Sequence, residues 1–362
     1  MLVLKYRPMF FKEILGQKHI ISFFKNCIKK KKFHNNFLFI GNSGIGKTSL
    51  SRILAKSMNC KNLNINEPCN KCKSCISINK DKCIDYLEIN AASNRGINKI
   101  KNIFKYINYI PINKYKIYMI DEIHMLTNYA FDSILKIIEE PPKYVKFIFA
   151  TTKPKKIPKT ILSRCFIFNL KLIKNKEIFK NISKILKIEN IKYEKNAIKL
   201  IAKNSLGSMR NALNLTEQLM YNKNNIIKIK NVQNILGILD FYYLINILKI
   251  IIIKKDKNKL IFFLNNLKKL NFSYSLFLKD LSVLLQKIFF IKEIKKNIYK
   301  KIKYEKDILK ISRNIKKEEI LILYQILLQG IKELRLDIDK YSCFCMVILK
   351  MFIFYPIIYN FY

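Results

Sequence analysis

The loop Gly41, Asn42, Ser43, Gly44, Ile45, Gly46, Lys47, Thr48 has the residue types and spacing to hold a polyphosphate. It fits G-x-x-x-x-G-K-S/T, in which glycines let backbone N–H groups wrap the anion and the following helix points its positive end at it. Lys47 can reach the β and γ oxygens, and Thr48 offers a hydroxyl to Mg²⁺. A second constellation is Asp121-Glu122, directly after the apolar run Lys116 to Ile120. A carboxylate pair in that position suits one acid to the metal and the other to polarising an attacking water. Asp121 takes the first role and Glu122 the second; a solvated acidic helix start is the plain alternative. The third is Cys60, Cys69, Cys72 and Cys75, with two overlapping C-x-x-C hooks and a fourth thiol nearby. Such a set suits tetrahedral Zn²⁺ with no open position, hence a structural metal. Disulfides could use the same residues, but nothing suggests secretion.

The elements that must position these groups are legible around them. Phe37 to Ile40 reads as a short strand ahead of the loop, and Leu50, Ile53 and Leu54 mark one face of the helix that starts near Lys47. Asp85 to Ile89 and Lys116 to Ile120 read as strands, with helical spacing at Ile20 to Lys31, Ile97 to Ile107 and Tyr129 to Glu139. Pro141-Pro142 ends the last of these, and strand Val145 to Ala150 then delivers Thr151-Thr152 to the same sheet edge, where a hydroxyl could orient a water. Alternating strands and helices predict an α/β domain with a parallel sheet, its ligand at the strands' carboxyl ends. From about Gln233 onward the pattern is helical throughout, consistent with an oligomerisation domain or with a plain helical core.

The 362 residues are enough for two or three domains, and an apolar half excludes a disordered chain. The net charge of +44 favours polyanions, but it is spread along the whole chain with much Ile, Asn, Phe and Tyr. An A+T-rich genome would produce the same drift toward Lys. Against that drift only seven basic residues are Arg, among them Arg7, Arg164 and Arg210, each a candidate for work that needs a planar, permanent charge. Met1 to Lys12 has no apolar core of signal-peptide length. Tyr242 to Ile253 is too short to span a membrane, and Tyr341 to Tyr362 is interrupted by Lys350 and Pro356; both read as buried helices, without a membrane partner. Cys27, Cys83, Cys165, Cys343 and Cys345 read as small buried apolar residues.

Several motifs together carry a family resemblance: Y-R-P-x-x-F-x-E-x-x-G-Q (Tyr6 to Gln17), the phosphate loop, the cysteine insert, D-E-I-H-M-L-T (Asp121 to Thr127), E-E-P-P (Glu139 to Pro142), A-T-T-K-P-x-K-I-P-x-T-I-L-S-R-C (Ala150 to Cys165) and G-S-M-R-N-A-L (Gly207 to Leu213). In this combination the chain resembles the gamma/tau subunit family of bacterial DNA polymerase III, most closely over Tyr6 to about Gln218, in its short, gamma-like form. The resemblance implies a cytoplasmic AAA+ clamp-loader ATPase that uses ATP, Mg²⁺ and Zn²⁺. It implies an AAA+ domain at 1–170 with a zinc module at about 60–75, a helical lid at 171–232 and a helical collar at 233–362. Implied partners are delta and delta-prime subunits, the sliding clamp (beta), primer–template DNA and other copies of the chain in a five-subunit ring. By motif, Thr152 would be the first sensor, Arg164 an arginine finger for the neighbouring subunit's ATP, Arg210 the lid sensor, and Arg7 would lie near the adenosine.

Asn90 and Asn211 stand where the family usually has acids, which weakens local pairing or capping without removing a catalytic group. A branch-migration motor and a non-hydrolysing structural subunit like delta-prime are the alternatives. The cysteine insert and S-R-C argue against the first, and intact Lys47, Thr48, Asp121 and Glu122 against the second. No nucleotidyl-transfer centre is recognisable, so ATP hydrolysis is the expected chemistry and any polymerase activity belongs to the larger holoenzyme. The longer family form carries C-terminal domains for helicase and polymerase tethering, and this chain has no room for them.

Overall fold

Short runs of Phe, Ile, Tyr and Met that would be insoluble as surface elements form the inner strands of a sheet, buried on both faces. The computed structural model of the chain describes residues 1–63, 66–221, 226–294, 304–336 and 339–357. It forms two compact units, Met1–Ile227 and Lys228–Tyr362.

The first unit holds strands β1 (Asn36–Ile40), β2 (Tyr86–Asn90), β3 (Lys116–Asp121), β4 (Val145–Thr151) and β5 (Phe166–Asn169). They form one parallel sheet in the order β2-β3-β4-β1-β5. Every residue of β4, the middle strand, is buried, as expected of a parallel strand covered on both sides. The two-residue period divides the apolar residues between two cores. Phe37, Phe39, Ile117, Met119, Ile148 and Ala150 face one, while Leu38, Tyr118, Ile120, Phe147 and Phe149 face the other.

The flanking helices in chain order are α1 (Leu2–Lys5), α2 (Lys18–Lys30), α3 (Lys47–Asn59), α4 (Lys73–Asn79), α5 (Ile97–Phe104), α6 (Asn128–Glu139) and α7 (Lys159–Leu162). Helix α3 buries Leu50, Ile53 and Leu54 beneath the sheet, the face read from their spacing. Helix α5 stops at Phe104, three residues before the predicted end. Strand β5, which carries no strong pattern of its own, forms because β1 offers it a paired edge.

A smaller helical group completes this unit: α8 (Asn175–Ile188), α9 (Lys195–Asn204) and α10 (Met209–Met220). Contacts from the start of the chain help to tie it and the segment leading into it to the sheet domain. Gln17 is fully buried, and its amide exchanges two hydrogen bonds with Lys171, Nε2 donating to the carbonyl at 2.6 Å and Oε1 accepting from the backbone N–H at 3.1 Å. At the start of the chain, Leu2 packs with Ile185 and Leu213, and Lys5 pairs with Glu189 at 2.7 Å.

The second unit is all helical: α11 (Ile229–Leu236), α12 (Phe241–Leu248), α13 (Lys257–Lys268), α14 (Tyr274–Ile294), α15 (Glu305–Arg313), α16 (Lys317–Glu333) and α17 (Lys340–Ile357). Its core draws on Leu248, Leu281, Leu285, Leu327, Phe344 and Met351. Gly330 of α16 lets α17 approach: a Cβ there would lie 2.3 Å from Val347 Cγ2. Among the described residues no single helix is long and apolar enough to cross a membrane. Leu244, Ile247 and Ile251 of the apolar Tyr242 to Ile253 stretch are buried as predicted. Of the stretch ending at Tyr362, residues 358–362 lie outside the described residues.

Candidate nucleotide and zinc sites

Strand β1 ends at Ile40, and the chain must turn sharply to start α3 only seven residues later. Gly41, Gly44 and Gly46 supply the turn, with Gly44 at φ 75° and Gly46 at φ 107°, a region that side chains with a Cβ avoid. Lys47 is buried at the head of α3, and its Nζ donates to the carbonyls of Gly41 at 2.7 Å and Asn42 at 3.1 Å. Burial lowers its pKa, while the carboxylates of Glu122 and Asp121 oppose that shift. An ammonium held this way inside a loop of N–H groups is suited to a phosphate chain.

Two further strands end at the same edge. Thr48 Oγ1 donates to Asp121 Oδ2 at 3.1 Å, so the hydroxyl of the loop meets the acid at the end of β3. Oxygen donors of this kind match Mg²⁺, a hard cation that takes few protein ligands. Glu122 follows in the left-handed conformation, φ 51°, uncommon for a residue with a Cβ and a form of strain found at working sites. Its Oε2 accepts from Thr152 N at 3.1 Å and Thr152 Oγ1 at 2.9 Å, just past the end of β4. Thr152, expected only to reach the same sheet edge, thus bonds the second acid directly. His124 was not singled out from the sequence. Its Nδ1 lies 3.2 Å from Glu122 Oε2 and 3.1 Å from Thr151 Oγ1. Burial lowers the His124 pKa, Glu122 opposing it and Lys153, Lys156 and Lys47 adding to it. A proton on Nδ1 would let the ring donate toward these oxygens.

The smaller helical group roofs this edge. Met209 N and Arg210 N point at the Gly44 carbonyl, at 3.0 and 3.4 Å. The contact is so close that a Cβ on Gly44 would lie 2.1 Å from Ser208 Oγ and 2.8 Å from Arg210 Cβ. Ser208 Oγ itself caps α10, accepting from Asn211 N at 3.3 Å. Between roof and loop lies a cleft of about 660 Å³ lined by Arg7, Ser43–Ser49, Asn90, Asp121, Glu122 and Arg210, with Ile14, Ile173 and Leu213 on its apolar side. Burial, with Arg52 close by, lowers the pKa of Arg7. Asn90, at the end of β2, turns its amide oxygen to Ala92 N at 2.9 Å, an Asx turn that closes locally without an acid.

Arg164 lies elsewhere. The carbonyl of Arg164 accepts from Asn36 Nδ2 at 3.1 Å, at the amino end of β1, whereas the cleft is at the carboxyl end. Five residues of strand separate the two, about 16 Å at the usual rise. The Arg164 guanidinium pairs with Glu139 at 2.8 Å. Arg52, also among the few arginines, bridges Asp81 at 2.7 Å and Glu88 at 2.6 Å, a planar fork used structurally.

The sulfurs of Cys60, Cys69, Cys72 and Cys75 all lie within 4.8 Å of one another. Tetrahedral zinc–thiolate bonds of about 2.3 Å would hold sulfurs roughly 3.8 Å apart, so the set fits Zn²⁺ with small adjustment. Burial would raise the Cys69 thiol, but N–H donors from Lys71 and Cys72 and the neighbouring thiols bring it down to about 6; burial pushes Cys60 and Cys75 up instead. Of the other cysteines, Cys83 and Cys343 are buried as predicted, while Cys27, Cys165 and Cys345 are only partly so.

Three family profiles match in succession: DNA polymerase III, delta subunit, over residues 16–174; DNA polymerase III clamp loader subunit, ATPase lid domain, over 177–221; and DNA polymerase III subunits gamma and tau domain III over 227–356. DNA polymerase III subunit gamma of Buchnera aphidicola subsp. Baizongia pistaciae is 40% identical over 355 residues, covering 96% of this chain and 95% of that protein. The chain belongs to the DNA polymerase III gamma/tau family of clamp-loader subunits. The gamma subunit of Buchnera aphidicola subsp. Acyrthosiphon pisum is 39% identical over 340 residues, covering 91% and 92%. Escherichia coli subunit tau is 32% identical over 97% of this chain but 55% of its own length. Among solved structures, the Thermotoga maritima RuvB Holliday junction branch migration motor aligns at TM-score 0.48 and 21% identity, over 69% of this chain and 80% of that one. Apart from the first two residues of α8, the roof formed by α8–α10 falls within the ATPase lid match, residues 177–221.

Proposed function

We propose that this clamp-loader subunit binds ATP in the cleft between phosphate loop and lid and hydrolyses it to place a sliding clamp on primer–template DNA. The observation that carries the reading is the meeting of four elements at one sheet edge. Thr48 bonds Asp121, Thr152 bonds Glu122, and Arg210 abuts the loop that holds Lys47.

In this reading Lys47 and the loop N–H groups bind the phosphates, and Arg7 and the apolar wall hold the nucleoside. Thr48 and Asp121 would hold Mg²⁺, which when bound neutralises charge on the phosphates. Glu122 accepts a proton from the attacking water, Thr152 and His124 orient that carboxylate, and Arg210 senses the phosphates from the lid. Arg164, a strand's length from its own cleft, acts on the nucleotide of a neighbouring copy, where a planar cation stabilises charge spread over the transferring phosphoryl. Four cysteine thiolates hold Zn²⁺ as a structural metal. The sheet domain at 1–170, lid at 171–232 and collar at 233–362 are assigned on the same basis. Exposed Phe262, Leu321, Met346 and Ile353 support a ring-forming role for the last. Delta and delta-prime subunits, the clamp and DNA complete a cytoplasmic assembly, with Lys residues giving salt-dependent, sequence-independent grip on phosphates.

The test is ATP turnover by the chain mixed with delta-type partners, with and without primer–template DNA and clamp. Wild type should be stimulated by both. Arg164→Ala should keep nucleotide affinity and lose turnover on the order of a thousandfold. Turnover indifferent to DNA and clamp, or to the substitution, would refute the loader mechanism.

A further inference from the structure

We propose that the four-cysteine insert is the anchor of the segment that walls the nucleotide cleft, with Lys56 and Asn70 as the positioning residues that couple zinc to nucleotide. The inference rests on the cleft being the ATP site.

The segment Arg7-Pro8-Met9 lines the cleft but belongs to no strand and to no helix. Met9 N is held locally by Glu13 Oε2 at 2.8 Å, and further fixed points come from the insert and from the helix before it. The Met9 carbonyl accepts from Asn70 Nδ2 at 3.2 Å and from Lys56 Nζ at 3.1 Å. Two residues on, Phe11 N donates to Glu67 Oε2 at 2.7 Å, and Glu67 is itself tied to Lys25 at 2.8 Å. Asn70 stands between Cys69 and Cys72 in the left-handed conformation, φ 53°. Its side chain reaches the segment because the cysteine hook turns the backbone there.

Lys56 explains why zinc matters to this arrangement. It lies on the helix that begins at Lys47, and only 1% of it is exposed. Its ammonium donates to neutral oxygens, Asn70 Oδ1 at 2.6 Å and Met9 O, with no carboxylate among its hydrogen-bond partners. Burial disfavours its charge, Cys75 and Glu13 oppose that, and Arg52 and Arg7 add to it. Its bond to Asn70, the residue after Cys69, ties it to the cysteine hook. A metal held by the four sulfurs sets the hook, the hook aims Asn70, and Asn70 and Lys56 together hold the Met9 carbonyl and with it the cleft wall. Emptying the site loosens the hook that aims Asn70.

Two sites joined this way must affect each other equally. The experiment uses the full-length chain with excess Mg²⁺ and a fluorescent ATP analogue, comparing zinc-loaded protein with protein stripped by a zinc-selective chelator. Stripping should weaken nucleotide affinity about tenfold, within the usual range of site–site coupling, and bound nucleotide should raise zinc affinity by the same factor. Asn70→Gly, which keeps the backbone conformation allowed, should retain zinc by metal analysis yet bind nucleotide more weakly, with less further change on stripping. Equal nucleotide affinity in loaded, stripped and Asn70→Gly protein would overturn the proposal. If stripping unfolds the chain, the zinc-retaining Asn70→Gly protein decides alone: weakened affinity supports the coupling and wild-type affinity overturns it. Absence of nucleotide binding by zinc-loaded wild type, or binding indifferent to Lys47→Ala, would instead refute the cleft assignment itself.

Discussion

Gly44→Ala is expected to lift the lid from the phosphate loop, and the structure sets its size. The left-handed backbone at φ 75° costs a residue with a Cβ about 1–2 kcal/mol. The new Cβ would also lie 2.1 Å from Ser208 Oγ, far inside contact distance, so the hydroxyl must rotate away. That breaks the cap from Ser208 to Asn211 N, a further loss of about 1 kcal/mol. Gly44→Ala should therefore destabilise the N-terminal unit by about 2–3 kcal/mol, and Ser208→Ala alone by about 1 kcal/mol. The double variant separates contact from strain. If the alanine already breaks the cap, adding Ser208→Ala costs nothing more, and the pair should match Gly44→Ala alone, a coupling of about 1 kcal/mol. Urea denaturation of the four proteins, alongside titration with a nucleotide analogue, measures the cycle. Strict additivity, or unchanged nucleotide affinity in Gly44→Ala, would refute the argument that lid and loop meet at this glycine.

Thr152→Val removes one of the two donors that hold Glu122 Oε2; turnover should fall on the order of tenfold to a hundredfold with nucleotide affinity nearly unchanged, and Thr152→Ser should restore most of it. A weakened affinity with normal turnover would remove Thr152 from the chemistry. In the helical unit, Gly330→Ala forces a Cβ to within 2.3 Å of Val347 Cγ2 and should cost about 1–3 kcal/mol by overpacking. Val347→Ala should recover part of that loss in thermal melts, and a silent Gly330→Ala would mean that α16 and α17 do not meet as described.

Local chemistry was legible because local sequence creates it. A phosphate loop is a turn whose glycines, lysine and threonine are contiguous, and its neighbouring strand and helix announce themselves by period. The cysteine hooks are set by spacings of two residues, and the acid pair by the strand it ends. Nothing contiguous joins Thr152 to Glu122, His124 to Thr151, or Gly44 to Ser208. Those contacts exist because parallel pairing of β3, β4 and β1 brings distant chain ends to one edge, and because the lid folds back over it. Lys56 and Asn70 carry no signal by type or spacing, and Gln17 stood in a motif that did not say what it bonds, since a buried amide or ammonium is recognisable only from the partners that tertiary folding supplies. For the same reason scarcity alone marked the arginines as candidates without saying what each does: Arg52 is a structural fork, Arg210 roofs the cleft, and Arg164 pairs with Glu139 a strand's length from it. The sequence by itself determined which chemistry the chain could host; only the packing of its sheet and lid decided which groups meet.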